Sequence, residues 1–149
     1  MKTKHSIYLA GSFQNRLLLQ FMKLYLEKMD FKINARWLEY GRLNLKTAAL
    51  YDYTDIDECD FVIATYPCAL GTASELGYAL ALKKPIIFYI EQSMAPDLDD
   101  SERHGIGLLP LGKFKYFTRD SNFLVGEMNV IITNMIDLEI VLMEFKNIF

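Results

Sequence analysis

Hydrophobic positions along the chain switch repeatedly between the two-residue repeat of a strand and the three-to-four-residue repeat of a helix. Residues 6–10 (Ser6-Ile-Tyr-Leu-Ala10) form a short apolar run closed by Gly11-Ser12, which predicts a strand and a turn. Over residues 13–29, apolar side chains recur at Leu17, Phe21 and Leu24 and at Leu18, Met22, Tyr25 and Met29, a broad helical face. Residues 31–38 alternate Phe31, Ile33, Ala35 and Trp37 against Lys32, Asn34 and Arg36, the pattern of an edge strand with one wet face. Residues 44–58 (Leu45, Ala48, Ala49, Tyr53, Ile56) predict a helix with an acidic end. Phe61-Val-Ile-Ala-Thr65 is continuously apolar, as a strand covered on both faces must be. A loop over 66–70, a helix over 72–82 and another buried strand over 85–90 follow. Residues 91–113 carry acidic residues, Pro and Gly and predict a long loop, after which 130–133 is a last strand and 135–148 a terminal helix.

Strands alternating with helices imply right-handed βαβ crossovers. The expected architecture is α/β: a single domain over residues 1–149, three layers, with a doubly wound parallel five-stranded sheet of flavodoxin or Rossmann-like type. The length of 149 residues suits one such domain, in which folding buries roughly 68–70% of the unfolded surface. There is no internal repeat and no linker. In such sheets ligands bind beyond the carboxyl ends of the strands, near the point where strand order reverses. Three segments therefore matter: 11–13 after the first strand, 65–75 after the third, and the loop after Ile90.

Composition narrows the partners. Apolar residues at 52% and charged residues at 23% exclude a disordered or low-complexity chain. Apolar runs are broken by charge well before the 18 residues a membrane span needs. A net charge of −3 and a pI near 5.4 argue against an extended nucleic-acid surface, so a small soluble ligand is expected. Met1-Lys-Thr-Lys-His leads straight into a strand pattern, with no apolar signal region. Cys59 and Cys68 form neither a disulfide framework nor a CxxC metal pair. Reduced, buried thiols and a cytoplasmic location are the expectation.

Of the candidate motifs, Gly107-Leu-Leu-Pro-Leu-Gly112-Lys113-Phe114 nearly spells a phosphate loop. Phe114 replaces the hydroxyl that would ligate magnesium, and neither a strand before it nor a helix after it is predicted. His5 and His104 are far apart and expected in solvent, and no zinc-ligand spacing occurs. The densest signal is Gly71-Thr-Ala-Ser-Glu75-Leu-Gly77, where a loop enters a helix. Gly71 lets backbone pass close to a ligand, and free N–H groups at a helix start favour anionic or polar groups. Thr72-x-x-Glu75 also fits a capping box, in which Glu75 serves the helix end. Spacing alone favours the cap and leaves a reactive carboxylate open. Gly77, costly inside a helix, suggests close packing or ligand approach. A second signal is Asp52-x-x-Asp55-x-x-x-x-Asp60. Asp60 reads as a turn residue before its strand, Asp55, Asp57 and Glu58 as a solvated helix face, and Asp52 as a side chain its helix could aim at the first loop. The acidic stretch 97–102 reads as a solvated loop.

Three segments in register carry a resemblance: Ile7-Tyr8-Leu9-Ala10-Gly11-Ser12-Phe13, then Asp52-x-x-Asp55-Ile-x-x-x-Asp60-Phe-Val-Ile-Ala64, then Gly71-Thr-x-x-Glu75-Leu-Gly77-Tyr-Ala-x-Ala-Leu-x-Lys-Pro85-Ile-Ile. Over residues 6–90 the chain resembles the nucleoside 2-deoxyribosyltransferase superfamily, which includes deoxynucleoside 5′-monophosphate N-glycosidases. The resemblance implies that Glu75 is the nucleophile, attacking C1′ of a 2-deoxyribosyl group to form a covalent glycosyl-enzyme. It implies that Tyr8 orients the Glu75 carboxylate and that Asp52 holds the sugar or protonates the leaving base. Gly11, Ser12 and Phe13 then line the base pocket, and Gly71 and Thr72 face the 5′ side of the sugar. Asn122, in Asn122-Phe-Leu124, matches faintly the element that a neighbouring subunit supplies. A homodimer or higher homo-oligomer with shared active sites is implied, acting on a nucleoside or nucleotide and a free nucleobase without metal or other cofactor.

One position departs from the family pattern. Six residues before Glu75 stands Ala69, where transferases often carry Asp and the monophosphate hydrolases Ser. Thr72 or Ser74, with helix N–H groups, offers a phosphate alternative contacts. Three functions follow as expectations: transfer of deoxyribose between bases, hydrolysis of a deoxynucleoside monophosphate, and non-catalytic nucleotide sensing on the same sheet. The cytokinin-activating phosphoribohydrolases, which share a Gly-Thr-x-x-Glu turn, fit less well because their Pro-Gly-Gly loop is absent here.

Overall fold

The computed structural model describes residues 4–40, 45–68, 70–91, 114–119 and 129–148. The strands are β1 (Ser6–Ala10), β2 (Lys32–Ile33), β3 (Phe61–Thr65), β4 (Ile86–Tyr89), β5 (Lys115–Tyr116) and β6 (Asn129–Ile132). A 3-10 turn (Phe13–Asn15) leads into α1 (Arg16–Lys28), and α2 (Trp37–Tyr40), α3 (Leu45–Glu58), α4 (Leu70–Ala81) and α5 (Met135–Ile148) follow. The strands form one sheet in the order β2-β1-β3-β4-β6-β5, and every pairing is parallel. This is the expected α/β, Rossmann-like arrangement. All five expected strands are present, and β5 adds a sixth at the edge. Two residues are too short to leave a periodic signal in sequence.

Alternation along the central strands decides what each helix layer meets. Ile7, Leu9, Phe61, Ile63, Ile87 and Val130 pack with α1 and α5 through Leu19, Met22, Leu26, Leu138, Val141 and Phe145. Tyr8, Ala10, Val62, Ala64, Ile86 and Phe88 pack on the other face with Ile56 of α3 and Leu76 and Ala79 of α4. Period-2 geometry therefore sends the Tyr8 phenol toward α3 and α4.

Two local expectations are corrected. The alternation over 31–38 is strand only at Lys32–Ile33, and the chain turns helical at Trp37. Leu38 N–H bonds to Ala35 O at 3.1 Å and Glu39 N–H to Arg36 O at 3.0 Å, while the Trp37 indole donates to Leu9 O at 2.8 Å. Burying that large ring with its N–H satisfied outweighs extending an edge strand. In α1 the helix is as expected and the row Leu18, Met22, Tyr25 and Met29 packs on the core together with Leu19 and Leu26, whereas the other expected row, Leu17, Phe21 and Leu24, is exposed. The helix is apolar on most sides, so periodicity could not choose the face. Both α1 and α4 end on a non-glycine residue in the left-handed region, Asp30 (φ 69) and Lys83 (φ 58). Among the described residues no helix is long and apolar enough to cross a membrane.

Candidate active site

Strand order reverses between β1 and β3, because the chain leaves β1 for β2 on one side and returns to β3 on the other. In sheets of this kind the loops at the carboxyl ends of two such strands border the ligand crevice. Asn15, after β1, donates to Tyr66 O, after β3, at 3.3 Å, tying the two loops together. Gly11 sits where they press closest: a Cβ at this position would stand 2.5 Å from Thr65 Oγ1 and 2.6 Å from Leu19 Cδ1. Its role here is packing between strand ends and α1. Ser12 and Phe13 lie next to it, and the Arg16 guanidinium rests 4.5 Å from the Phe13 ring centroid.

From the layer opposite α1, three titratable groups converge. Tyr8 reaches up from β1 with no solvent exposure, Asp52 comes from α3 and Glu75 from α4. Burial pushes the Glu75 carboxyl up to about 8, and the adjacent Asp52 charge adds to the rise. Burial also raises Asp52, to about 6, with Asp55 contributing while Tyr8, Glu75 and Arg36 pull it back. Each carboxyl shifts the other, so the two titrate as a pair and not as separate groups. The Tyr8 phenol is raised well above its ordinary value by burial and then by the two carboxyls. The Tyr8 hydroxyl and Asp52 Oδ1 are buried yet close no hydrogen bond among the described residues. Ser12 Oγ, Thr65 Oγ1 and Thr72 Oγ1 share that state.

The expected capping box does not form. Helix α4 begins at Leu70, and Ser74 Oγ donates to Leu70 O at 3.1 Å, so Thr72 already stands inside the first turn. Thr72 is buried without a side-chain partner among the described residues, and Glu75 faces Tyr8 and Asp52. Gly71 is exposed, and no described atom lies within 4 Å of where its Cβ would be. The same openness holds at Gly77, so of the two expectations there close packing is not met among the described residues and ligand approach is left. Asn122, Ala69, His104, the acidic stretch 97–102 and the near-phosphate loop 107–113 lie outside the described residues.

Other expectations change with burial. Asp55 is 3% exposed, not solvated, and accepts from Arg36 N–H at 3.1 Å and Arg36 Nε at 3.0 Å, with Nη2 at 2.8 Å. His5 is half-buried, stacked on Phe61 with centroids 5.4 Å apart, and so only partly in solvent. Both cysteines are free, and burial pushes Cys59 up to about 12 and Cys68 to about 11, leaving unreactive thiols. Among the described residues no group of three His, Cys, Asp or Glu could hold a metal ion. Arg36, Asp55 and Trp37 are the site's neighbours that sequence reasoning missed. The alternation placed Arg36 on a wet strand face, and no local signal marks a partner 19 residues away.

The sequence profile described as Nucleoside 2-deoxyribosyltransferase matches residues 7–106, about two thirds of the chain. No curated protein matches. Among solved structures, the Clostridium botulinum CMP N-glycosidase BcmB is 27% identical with a TM-score of 0.46, over 58% of this chain and 69% of that one. The solution structure of BlsM is 22% identical with a TM-score of 0.54, covering 71% and 76%. A conserved protein from Enterococcus faecalis V583 is 20% identical with a TM-score of 0.60, over 99% and 100% of the two chains. The last two share the fold.

Proposed function

The chain belongs to the nucleoside 2-deoxyribosyltransferase family, and from that premise we propose that it cleaves the N-glycosidic bond of a 2′-deoxynucleoside through Glu75 and passes the sugar to a second nucleobase. The observation that carries the reading is the half-buried Glu75 carboxyl facing Asp52 and Tyr8 where strand order reverses. A helix cap has no need of a second acid or a phenol.

In the proposed reaction a Glu75 carboxylate oxygen attacks C1′ as the C1′–N bond breaks, and the bond's electron pair leaves with the base. A proton held by the pair moves to the departing nitrogen from Asp52. Positive charge developing at the anomeric carbon favours Glu75 as the ionised partner at that moment. Tyr8 donates to the Glu75 oxygen that does not attack, which fixes the other one toward the sugar. An incoming base then attacks C1′, displaces Glu75 and returns a proton to the pair. Gly11, Ser12 and Phe13 border the base, and Thr72 and Gly71 border the sugar's 5′ side. The buried hydroxyls of Ser12, Thr65 and Thr72, unpartnered among the described residues, supply polar contacts to a ligand seated there. Asn122 and a neighbouring subunit complete the site in this reading.

The test is chromatography of the protein incubated with deoxyinosine or its 5′-monophosphate, plus free adenine. Deoxyadenosine is the expected product. Hypoxanthine release from the monophosphate alone replaces transfer with hydrolysis. No change in either substrate overturns catalysis in favour of nucleotide sensing.

A further inference from the structure

Asp52 sits on α3 between two residues gripped by one guanidinium. Arg36 pairs with Asp55, one turn later, through Nε and Nη2, and its Cζ lies 4.1 Å from the centroid of Tyr51, the residue just before Asp52. The Arg36 backbone N–H also donates to Asp55, so the grip holds main chain as well as side chain. Arg36 is in turn fixed between Ala35, buried in the core, and Trp37, whose indole is bonded to the carboxyl end of β1. We propose that Arg36 is a positioning residue for the reaction: braced against β1, it holds Asp52 over Glu75 and offsets the negative charge that buried Asp55 places beside it.

The inference rests on the reading of Asp52 and Glu75 as the reacting pair. It follows from charge accounting around Asp52, which faces Tyr8 of β1, Glu75 of α4, Asp55 of its own helix and Arg36 from the segment before α2. At Asp52 the Asp55 charge and the Arg36 guanidinium act in opposite directions, the first raising the carboxyl's pKa and the second lowering it. Removing one partner exposes the other, so the two losses act on Asp52 with opposite signs. A merely structural bridge has no such signature, since breaking it from either side loosens the same contact.

Carboxyl 13C NMR titration of Asp- and Glu-labelled protein reads this directly, with the Asp52 signal identified by its loss in Asp52→Asn. Arg36→Gln should raise the Asp52 pKa by about one unit and Asp55→Asn should lower it by a similar amount. The double variant Arg36→Gln/Asp55→Asn should return near the parent value, and Arg36→Lys should stay close to it. In turnover, the alkaline limb of kcat/KM should move up in Arg36→Gln and down in Asp55→Asn. Shifts of the same sign, or none, overturn the inference even where the parent enzyme releases base. If the parent shows no turnover but the titrations move oppositely, the proposed function fails and the role of Arg36 in setting the Asp52 charge stands. Should Asp55→Asn not fold, Arg36→Gln against Arg36→Lys decides, because only the first removes the charge.

Discussion

At the amino ends of β1 and β3 the polar groups answer one another. Asp60 accepts from Ser6 N–H at 2.8 Å and lies 3.3 Å from the Ser6 hydroxyl, and its own N–H returns to Ser6 O at 2.9 Å. Lys84 Nζ donates to Cys59 O at 2.7 Å and Asp57 O at 3.1 Å, a cation at the carboxyl end of α3 where the helix dipole favours one. At the carboxyl ends of the same strands and in the helices above them, Tyr8, Ser12, Asp52, Thr65 and Thr72 each bury a polar atom that the described chain does not satisfy. The amino end has only His5 Nδ1 and, at the start of β6, Asn129 Oδ1 in that state. Burying an unpaired polar group costs stability, about 1–3 kcal/mol each on mutational scales. On the proposed reading, the difference separates a region built to hold the sheet from one that gives up stability for a ligand.

Glu75 tests that separation most severely. Glu75→Gln should reduce base release on the order of 10³-fold or more, since the amide cannot act as the nucleophile. The same change should leave the fold intact and, at alkaline pH, raise Tm. The folded-state pKa of Glu75, about 8, lies above its ordinary 4.5, and that of Asp52, about 6, lies above 3.8. A carboxyl raised on folding binds its proton more tightly in the native state, so its stabilising effect is complete below the unfolded pKa and is lost as pH rises through the folded one. The parent should therefore lose stability from about pH 4.5 to 8. The Tm gap in favour of Glu75→Gln should widen over that window and level off above it. Thermal unfolding of both proteins across pH checks this, and a gap independent of pH removes the argument that Glu75 is a destabilising buried acid.

Gly11→Ala tests the crevice wall. Its Cβ would meet Thr65 Oγ1 and Leu19 Cδ1 well inside contact distance, a cost of about 1–3 kcal/mol by chemical denaturation. Adding Thr65→Ala should recover part of that loss, because the Thr65 hydroxyl closes no bond among the described residues and is cheap to remove. At the other end, Asp60→Ala strands the Ser6 N–H and should cost about 1–2 kcal/mol. Activity per folded molecule should be unchanged, as Asp60 lies at the far end of β3. Loss of specific activity in Asp60→Ala would blur the division between the two ends.

How far this division was legible in sequence depended on the range of the signal. Central strands announced themselves because burial on both faces demands unbroken apolar runs, and strand alternation then aimed Tyr8 at the layer that holds Asp52 and Glu75. Glu75 stood out in its motif, but its competing role as a cap fell only when α4 was found to begin at Leu70. The apolar face of α1 spans both the row Leu17, Phe21 and Leu24 and the row Leu18, Met22, Tyr25 and Met29, and only the sheet selects the second, with Leu19 and Leu26. Arg36 and Asp55 were illegible for a different reason. Each looks solvated in its own segment, and their pairing exists only because the chain stops being strand after Ile33 and turns at Trp37.

The smallest expected effect lies just past α4, on the structural side of the comparison. Lys83 holds φ 58, and its N–H bonds to Leu80 O at 3.0 Å while Lys84 N–H reaches back to Ala79 O at 3.0 Å, the paired bonds of a Schellman ending. A side chain in that left-handed position costs roughly 1–2 kcal/mol that glycine avoids, partly offset by glycine's greater freedom in the unfolded chain. Lys83→Gly should therefore stabilise by about 0.5–1 kcal/mol. Neighbouring Lys84 keeps its bonds to α3, and Lys83 lies at the end of α4 away from Glu75, so base release should not change. A gain in stability with unaltered kinetics would show that the amino-end scaffold can still be tightened without touching the crevice. A fall in kcat alongside that gain would instead mean that motion of α4 as a whole carries Glu75 to the sugar.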